Sequence, residues 1–160
     1  MAHSLLTENY VKPVVGIYPV ADAFSATVYS DVINASQAQW ITALVYWGVG
    51  ATGTVTLTVI PCDDVTPSNR GTAVAFTYRR YASDTDVAGA STAATATGFT
   101  TTAGSDQVYA IEIDPAVLGA SGYKYVQIKS VESVDSPLLG GITFLVQPTY
   151  ASKSVATMLV

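Results

Sequence analysis

The chain is short of the residues on which most chemistry depends. Among 160 residues it has one cysteine, Cys62, and one histidine, His3. A single cysteine forms no internal disulfide, which gives no support to a disulfide-stapled secreted class. Charged residues make up only 12% of the sequence, about half the usual share. The seven basic residues are scattered, and the only adjacent pair is Arg79-Arg80. Nucleic-acid binding needs clustered Lys and Arg, and a net charge of −5 argues against it further. The opening "MAHSLLTENYVKP" has no basic start and no apolar run of signal-peptide length. The longest apolar stretch, near Ile41 to Ala51, is too short and too interrupted by glycine to span a bilayer. These features predict a soluble chain made in a cytoplasm.

What is abundant is β-forming. Threonine fills 20 positions and tyrosine 10, while the ordinary helix fillers are scarce. Apolar residues reach 49%, and so few charges on so apolar a chain suit either a surface that meets other protein or a thermostable sandwich with a Thr/Ser/Ala exterior. Short alternating segments recur between Gly, Pro and Asp turns: 14–20, 25–33, 39–50, 54–60, 72–81, 107–113, 122–131 and 141–147. The pattern predicts an all-β fold of about seven or eight strands, a sandwich or a barrel. "DPAVLG" supplies one short helical turn near 114–119, with Asp114 as N-cap, Pro115 at the first position and Gly119 as the stop. Segment 39–50 is apolar on both faces, Trp40, Leu44 and Tyr46 opposing Ile41, Val45 and Trp47, and predicts a central strand covered on both sides. With Gly50 to Gly53 it predicts a hairpin over 39–60. Residues 82–98, rich in Ala, Ser and Thr, read as an exposed loop. The organisation is an N-terminal arm (1–12), one sandwich domain (13–148) and an apolar tail (149–160).

No catalytic constellation emerges, so the chain does not read as an enzyme. His3 lies in the arm, where an imidazole cannot be held to the tolerance of proton transfer. Cys62 follows a strand and a proline with no histidine fixed nearby, the pattern of an inert thiol. Asp63-Asp64 and Asp84/Asp86 fall in turn-rich loops, where aspartate bonds its own backbone. They lack the spacing of a recognised calcium loop, although a calcium site there stays open. Glu112 reads as the solvent-facing residue of an alternating strand, and "NAS" at Asn34 as a chance sequon. No cofactor is implied. Tyr78 and Tyr81 beside Arg79-Arg80, and Tyr123 and Tyr125 beside Lys124, are the candidates for a contact surface, since aromatics and arginine concentrate at hot spots.

The order "TVTLTVIPCDDVTPSNRGTAVAFTYRRY", then "GFTTTAGSDQVYAIEIDPAVL", then "GYKYVQIK" resembles a group of small virion proteins of tailed bacteriophages. There a strand ends in an acidic "CDD" or "SDD" turn, a Thr/Ala strand ends "F-x-Y-R", and a "Y-x-x-E-(I/V)-D" strand leads through a helical turn to "Y-x-Y-V-(R/Q)-(I/L)-K". The resemblance spans roughly residues 39 to 130 and leaves the two ends outside it. It implies an antiparallel β-sandwich, jelly-roll-like, and a capsid decoration (cement) protein on the virion surface, with the major capsid protein and copies of itself, as dimer or trimer, for partners. It brings no catalytic residues. In that role the two arms bind neighbouring subunits, with Tyr150, Met158 and Leu159 as anchors. Another minor head or tail protein fits the same segments. The alternative from another class is a glycan-binding or adhesion sandwich, which requires aromatics on an exposed face.

Overall fold

The computed structural model describes residues 6–50, 52–83 and 85–150. In chain order the elements are α1 (Leu6–Asn9), β1 (Lys12–Val20), β2 (Thr27–Tyr29), β3 (Ile33–Asn34), β4 (Ala38–Trp47), β5 (Thr54–Cys62), β6 (Phe76–Tyr81), β7 (Thr92–Ala94), β8 (Phe99–Thr100), β9 (Gln107–Ile113), α2 (Pro115–Ala120), β10 (Tyr125–Val134) and β11 (Gly140–Pro148). The strands form two antiparallel sheets. One has the order β1-β11-β4-β9-β6-β7, and the other β2-β10-β5-β8 with β3 also on β10. With β3, β6 and β7 set aside, the remaining strands fall in the order first-eighth-third-sixth and second-seventh-fourth-fifth. That is a jelly roll, two Greek keys folded face to face. The β6–β7 pair is an insertion that widens the first sheet beyond β9.

Alternation decides what each strand buries. Ile41, Ala43, Val45 and Trp47 on β4, Tyr109, Ile111 and Ile113 on β9, and Ile142, Phe144 and Val146 on β11 all point inward. They meet Val55, Leu57 and Val59 of β5 and Val126 and Ile128 of β10. Each large side chain removed from water contributes about 1.5–3 kcal/mol, so packing of these two faces dominates the stability. No buried side-chain polar atom among the described residues lacks a partner. Gln107, for example, takes Arg80 Nε (2.9 Å) and the Tyr109 hydroxyl (3.2 Å) on its oxygen and donates to Thr102 O (3.1 Å).

The helical turn is where the sequence puts it: the Asp114 side chain accepts from Ala116 N at 2.8 Å. Gly119 stays inside the helix, which stops at Ser121 and at Gly122, whose φ is +80°. Other expectations are corrected. Residues 39–60 are not a hairpin, because β4 and β5 lie in different sheets. Gly50 and Gly53, on the connection from one sheet to the other, pack against Leu138. A Cβ at Gly50 would sit 2.3 Å from Leu138 Cδ2, and one at Gly53 2.6 Å from Ser136 O. Facing the two strands buries both apolar rows, which edge pairing would leave on a single surface. Segment 25–33 is also broken. Between β2 and β3 the buried Ser30 inserts its hydroxyl, which accepts from Ile128 N at 2.9 Å in place of a ladder carbonyl. Within 82–98, Thr92–Ala94 pairs with β6 instead of forming loop.

Candidate interaction surface

The expectation that β4 is covered on both sides is corrected as well. It is central in its sheet, between β11 and β9, but the second sheet packs on one face only. Trp40 is 38% exposed, and Leu44 and Tyr46 are half-buried. Register builds a continuous patch around them. Thr42 stands between Leu145 and Glu112, Leu44 between Thr143 and Ala110, and Tyr46 between Gly141 and Val108. Val15 on β1 extends the patch past β11, and Thr77, Arg79 and Tyr81 on β6 extend it past β9. Within these strands the charged side chains on the face are Glu112 and Arg79. One carboxylate oxygen of Glu112 accepts both Trp40 Nε1 (2.5 Å) and Thr42 Oγ1 (2.8 Å). Those bonds hold the indole across the strands, so the patch is preorganised.

The outer face of the other sheet carries a row of threonines, with Val131 beside Thr56 and Tyr29 beside Lys129. Thr54, Thr56 and Thr58 alternate out of β5, and Thr56 Oγ1 bonds Thr100 (2.9 Å) and Ser133 (2.8 Å). Arg70 lies across this sheet, its guanidinium 4.2 Å from the Tyr29 ring centroid and its Nε donating to Gln127 at 3.2 Å. Cys62, in a neighbouring register position, is buried. Burial pushes its thiol up from 9.0 to about 11; Arg70 opposes that rise and Asp63 adds to it. A folded-state value above the unfolded one stabilises below pH 9 and is lost as pH rises through about 11. The full loss is on the order of 3 kcal/mol at 1.36 kcal/mol per unit. In urea titrations, the advantage of the wild type over Cys62→Ala should therefore shrink between pH 9 and 11. A constant difference across that range would refute the assignment. Below pH 9 a thiol reagent should label Cys62 slowly in the folded protein and fast in urea.

The aspartates of the "PCDD" stretch are turn residues. Asp63 accepts Ser68 Oγ (3.1 Å), Asn69 N (3.2 Å) and Asn69 Nδ2 (3.2 Å), and Asp64 accepts Val65 N (2.7 Å). Desolvation raises the Asp63 carboxyl, but the Asn69 and Ser68 bonds together outweigh it and leave it below the usual value. Among the described residues no three His, Cys, Asp or Glu side chains are grouped to hold a metal. Asp86 sits in an exposed loop, while Asp84 and His3 lie outside the described residues. Asn34 takes Ser36 N and Oγ on its side-chain oxygen, a local turn.

The contact residues read from the sequence do not form one site. Alternation splits the β6 set: Arg79 and Tyr81 face outward, while Tyr78 turns in and stacks on Phe99 (centroids 3.7 Å apart) and Arg80 bonds Gln107. Tyr125 lies on the other sheet. Tyr123 and Lys124 line a notch of about 330 Å³ with Ala35, Ser36, Ala38 and α2. Tyr150 is 80% exposed, just past Thr149, whose N–H donates to Gln37 O at 2.9 Å. Met158 and Leu159 lie outside the described residues. Sequence reasoning missed Trp40, Leu44 and Leu145 as surface. The signal was there in the two-sided apolar pattern of 39–50, read as cover from the chain itself. No helix of the described residues is long and apolar enough to cross a membrane. No family model, curated protein or solved structure matches the chain.

Proposed function

We propose that the chain is a structural protein of a tailed-phage virion, which binds the outside of the capsid lattice as a decoration protein and stabilises the head. The observation that carries the reading is the preorganised apolar face around Trp40, Leu44 and Leu145, on a sandwich whose described buried polar groups are all satisfied. Such a body is built to bind protein surface. The segment order of residues 39–130 supports the placement on a phage head. A cement protein carries out no reaction. It lowers the free energy of the state it binds, by about 2.7 kcal/mol per site at a hundredfold excess over Kd. The major capsid protein and neighbouring copies are its partners, and the terminal segments, with Tyr150, Met158 and Leu159, add anchors.

The test is to mix purified protein with capsids of the source phage lacking it and image them by cryo-electron microscopy. Ordered density at repeating lattice positions is expected. Bare capsids would reject the reading, and density confined to the portal or tail would reassign it to another head or tail role. One observation favours a second reading: the exposed Trp40, beside Glu112, is the kind of platform on which a glycan stacks. In that case the isolated domain binds sugars on a glycan array, and Trp40→Ala abolishes binding without lowering stability.

A further inference from the structure

We infer that the outer face of the six-stranded sheet is the contact between two copies of this chain. The inference rests on reading that face as a binding surface and does not depend on the virion placement.

The two sheets share one fold and one solvent, yet their outer faces differ. One carries the hydroxyl ladder of Thr56, Thr100 and Ser133, which water and the protein itself satisfy. The other sets half-buried Val15, Leu44, Tyr46, Leu145 and Val108 side by side among Thr42, Thr77 and Thr143, a surface richer in apolar area that water does not reward. Its size suits a stable contact. β11 has nine residues, about 30 Å at ~3.3 Å each, and the strands from β1 to β6 span roughly 20 Å. The resulting ~600 Å² of flat area, before side-chain relief is added, is on the scale of the ~800 Å² that each partner gives to a standard interface.

Charge selects a second copy as the occupant. The chain carries −5 overall, so two copies repel on most approaches. This face holds one cation, Arg79, and one anion, Glu112, and is neutral. A two-fold contact sets residue i against j and j against i, so one Arg79–Glu112 pairing forms twice. Extension of the sheet is the other route to self-association, and the edges oppose it. β1 carries Pro13 and Pro19 with two register shifts, and β7 is three residues long.

Sedimentation velocity on the full chain tests this. The wild type should be a dimer at about 10 μM, and Leu44→Lys a monomer with an unchanged circular dichroism spectrum. Arg79→Glu, at an exposed position that folding tolerates, and Glu112→Arg should each weaken association about tenfold or more. Mixing those two variants should restore a dimer, because each then meets opposite charges at both pairings. A wild-type monomer at about 100 μM would overturn the inference and leave the face to a capsid subunit or a glycan. An oligomer indifferent to Leu44→Lys and Arg79→Glu would overturn it too. Lattice density from a monomeric protein would sink the dimer and keep the proposed function. A dimer that ignores capsids would do the reverse.

Discussion

Replacing Trp47 with alanine should lower the unfolding free energy by about 3–5 kcal/mol. Among the described residues the indole is the largest fully buried side chain, and it belongs to the core that the two layers share. It stacks on Tyr109 with centroids 5.3 Å apart and takes the edge of Phe24 at 6.3 Å. Gly140 stands opposite it in register, so the cross-strand neighbour on β11 has no side chain to fill the hole. Polar and apolar losses add. Trp47 Nε1 donates to Gly104 O at 2.8 Å, tying down the 101–106 connection, and alanine removes that donor. A domain of this size is typically stable by about 5–15 kcal/mol, so the change consumes a large share. The melting temperature should fall by about 6–20 °C, at ~2–4 °C per kcal/mol. Trp47→Phe, which keeps most of the packing, should cost clearly less. Urea titrations followed by circular dichroism measure both. A loss under about 1 kcal/mol for alanine would show that the indole is not a keystone of the core.

The legible parts of the fold were those where one strand carries one buried face. Tyr109, Ile111 and Ile113 alternate with Val108, the small Ala110 and Glu112, and the structure buries all three together. The Asp114-Pro115 start of α2 was equally readable, since capping is a local event. Partner choice was not local. A glycine-flanked turn between two apolar strands suits a hairpin or a crossing between sheets, and the decision lies with Leu138, far along the chain, which the glycines admit. The candidate surface failed for a related reason. Residues 39–50 show that both faces of β4 want cover, but the pattern does not say whether the cover belongs to the same molecule. Adjacent residues also mislead in a strand. Tyr78 to Tyr81 read as one cluster, yet period-two alternation sends Tyr78 to the core and Arg79 to the surface. β7, three residues of a Thr/Ala stretch, has no pattern of its own and forms because β6 offers it an edge.

Gly98→Ala should be the most damaging single-methyl change in the chain, at about 3 kcal/mol or more from strain and overpacking together. Gly98 has φ +77°, and a Cβ there would stand 2.0 Å from Leu57 O and 2.6 Å from Thr58 Cγ2. The first of these contacts is backbone of β5, buried at Leu57 and paired through β10, so it cannot swing aside as a side-chain tip does. The strand that must move instead is β8, which pairs with β5 only at Thr56–Thr100 and Leu57–Phe99. Losing that seat withdraws Phe99 from its contacts with Phe76, Tyr78 and Tyr109 and so loosens the inserted β6–β7 edge of the other sheet. Gly122 provides the control. Its φ is +80°, but a Cβ there meets nothing within 4 Å, so Gly122→Ala carries the backbone strain alone, about 1–2 kcal/mol. The difference between the two variants in chemical denaturation isolates the clash with β5. Equal losses would mean that β8 gives way at no cost, and that the second sheet is held by β2, β10 and β5 without its fourth strand.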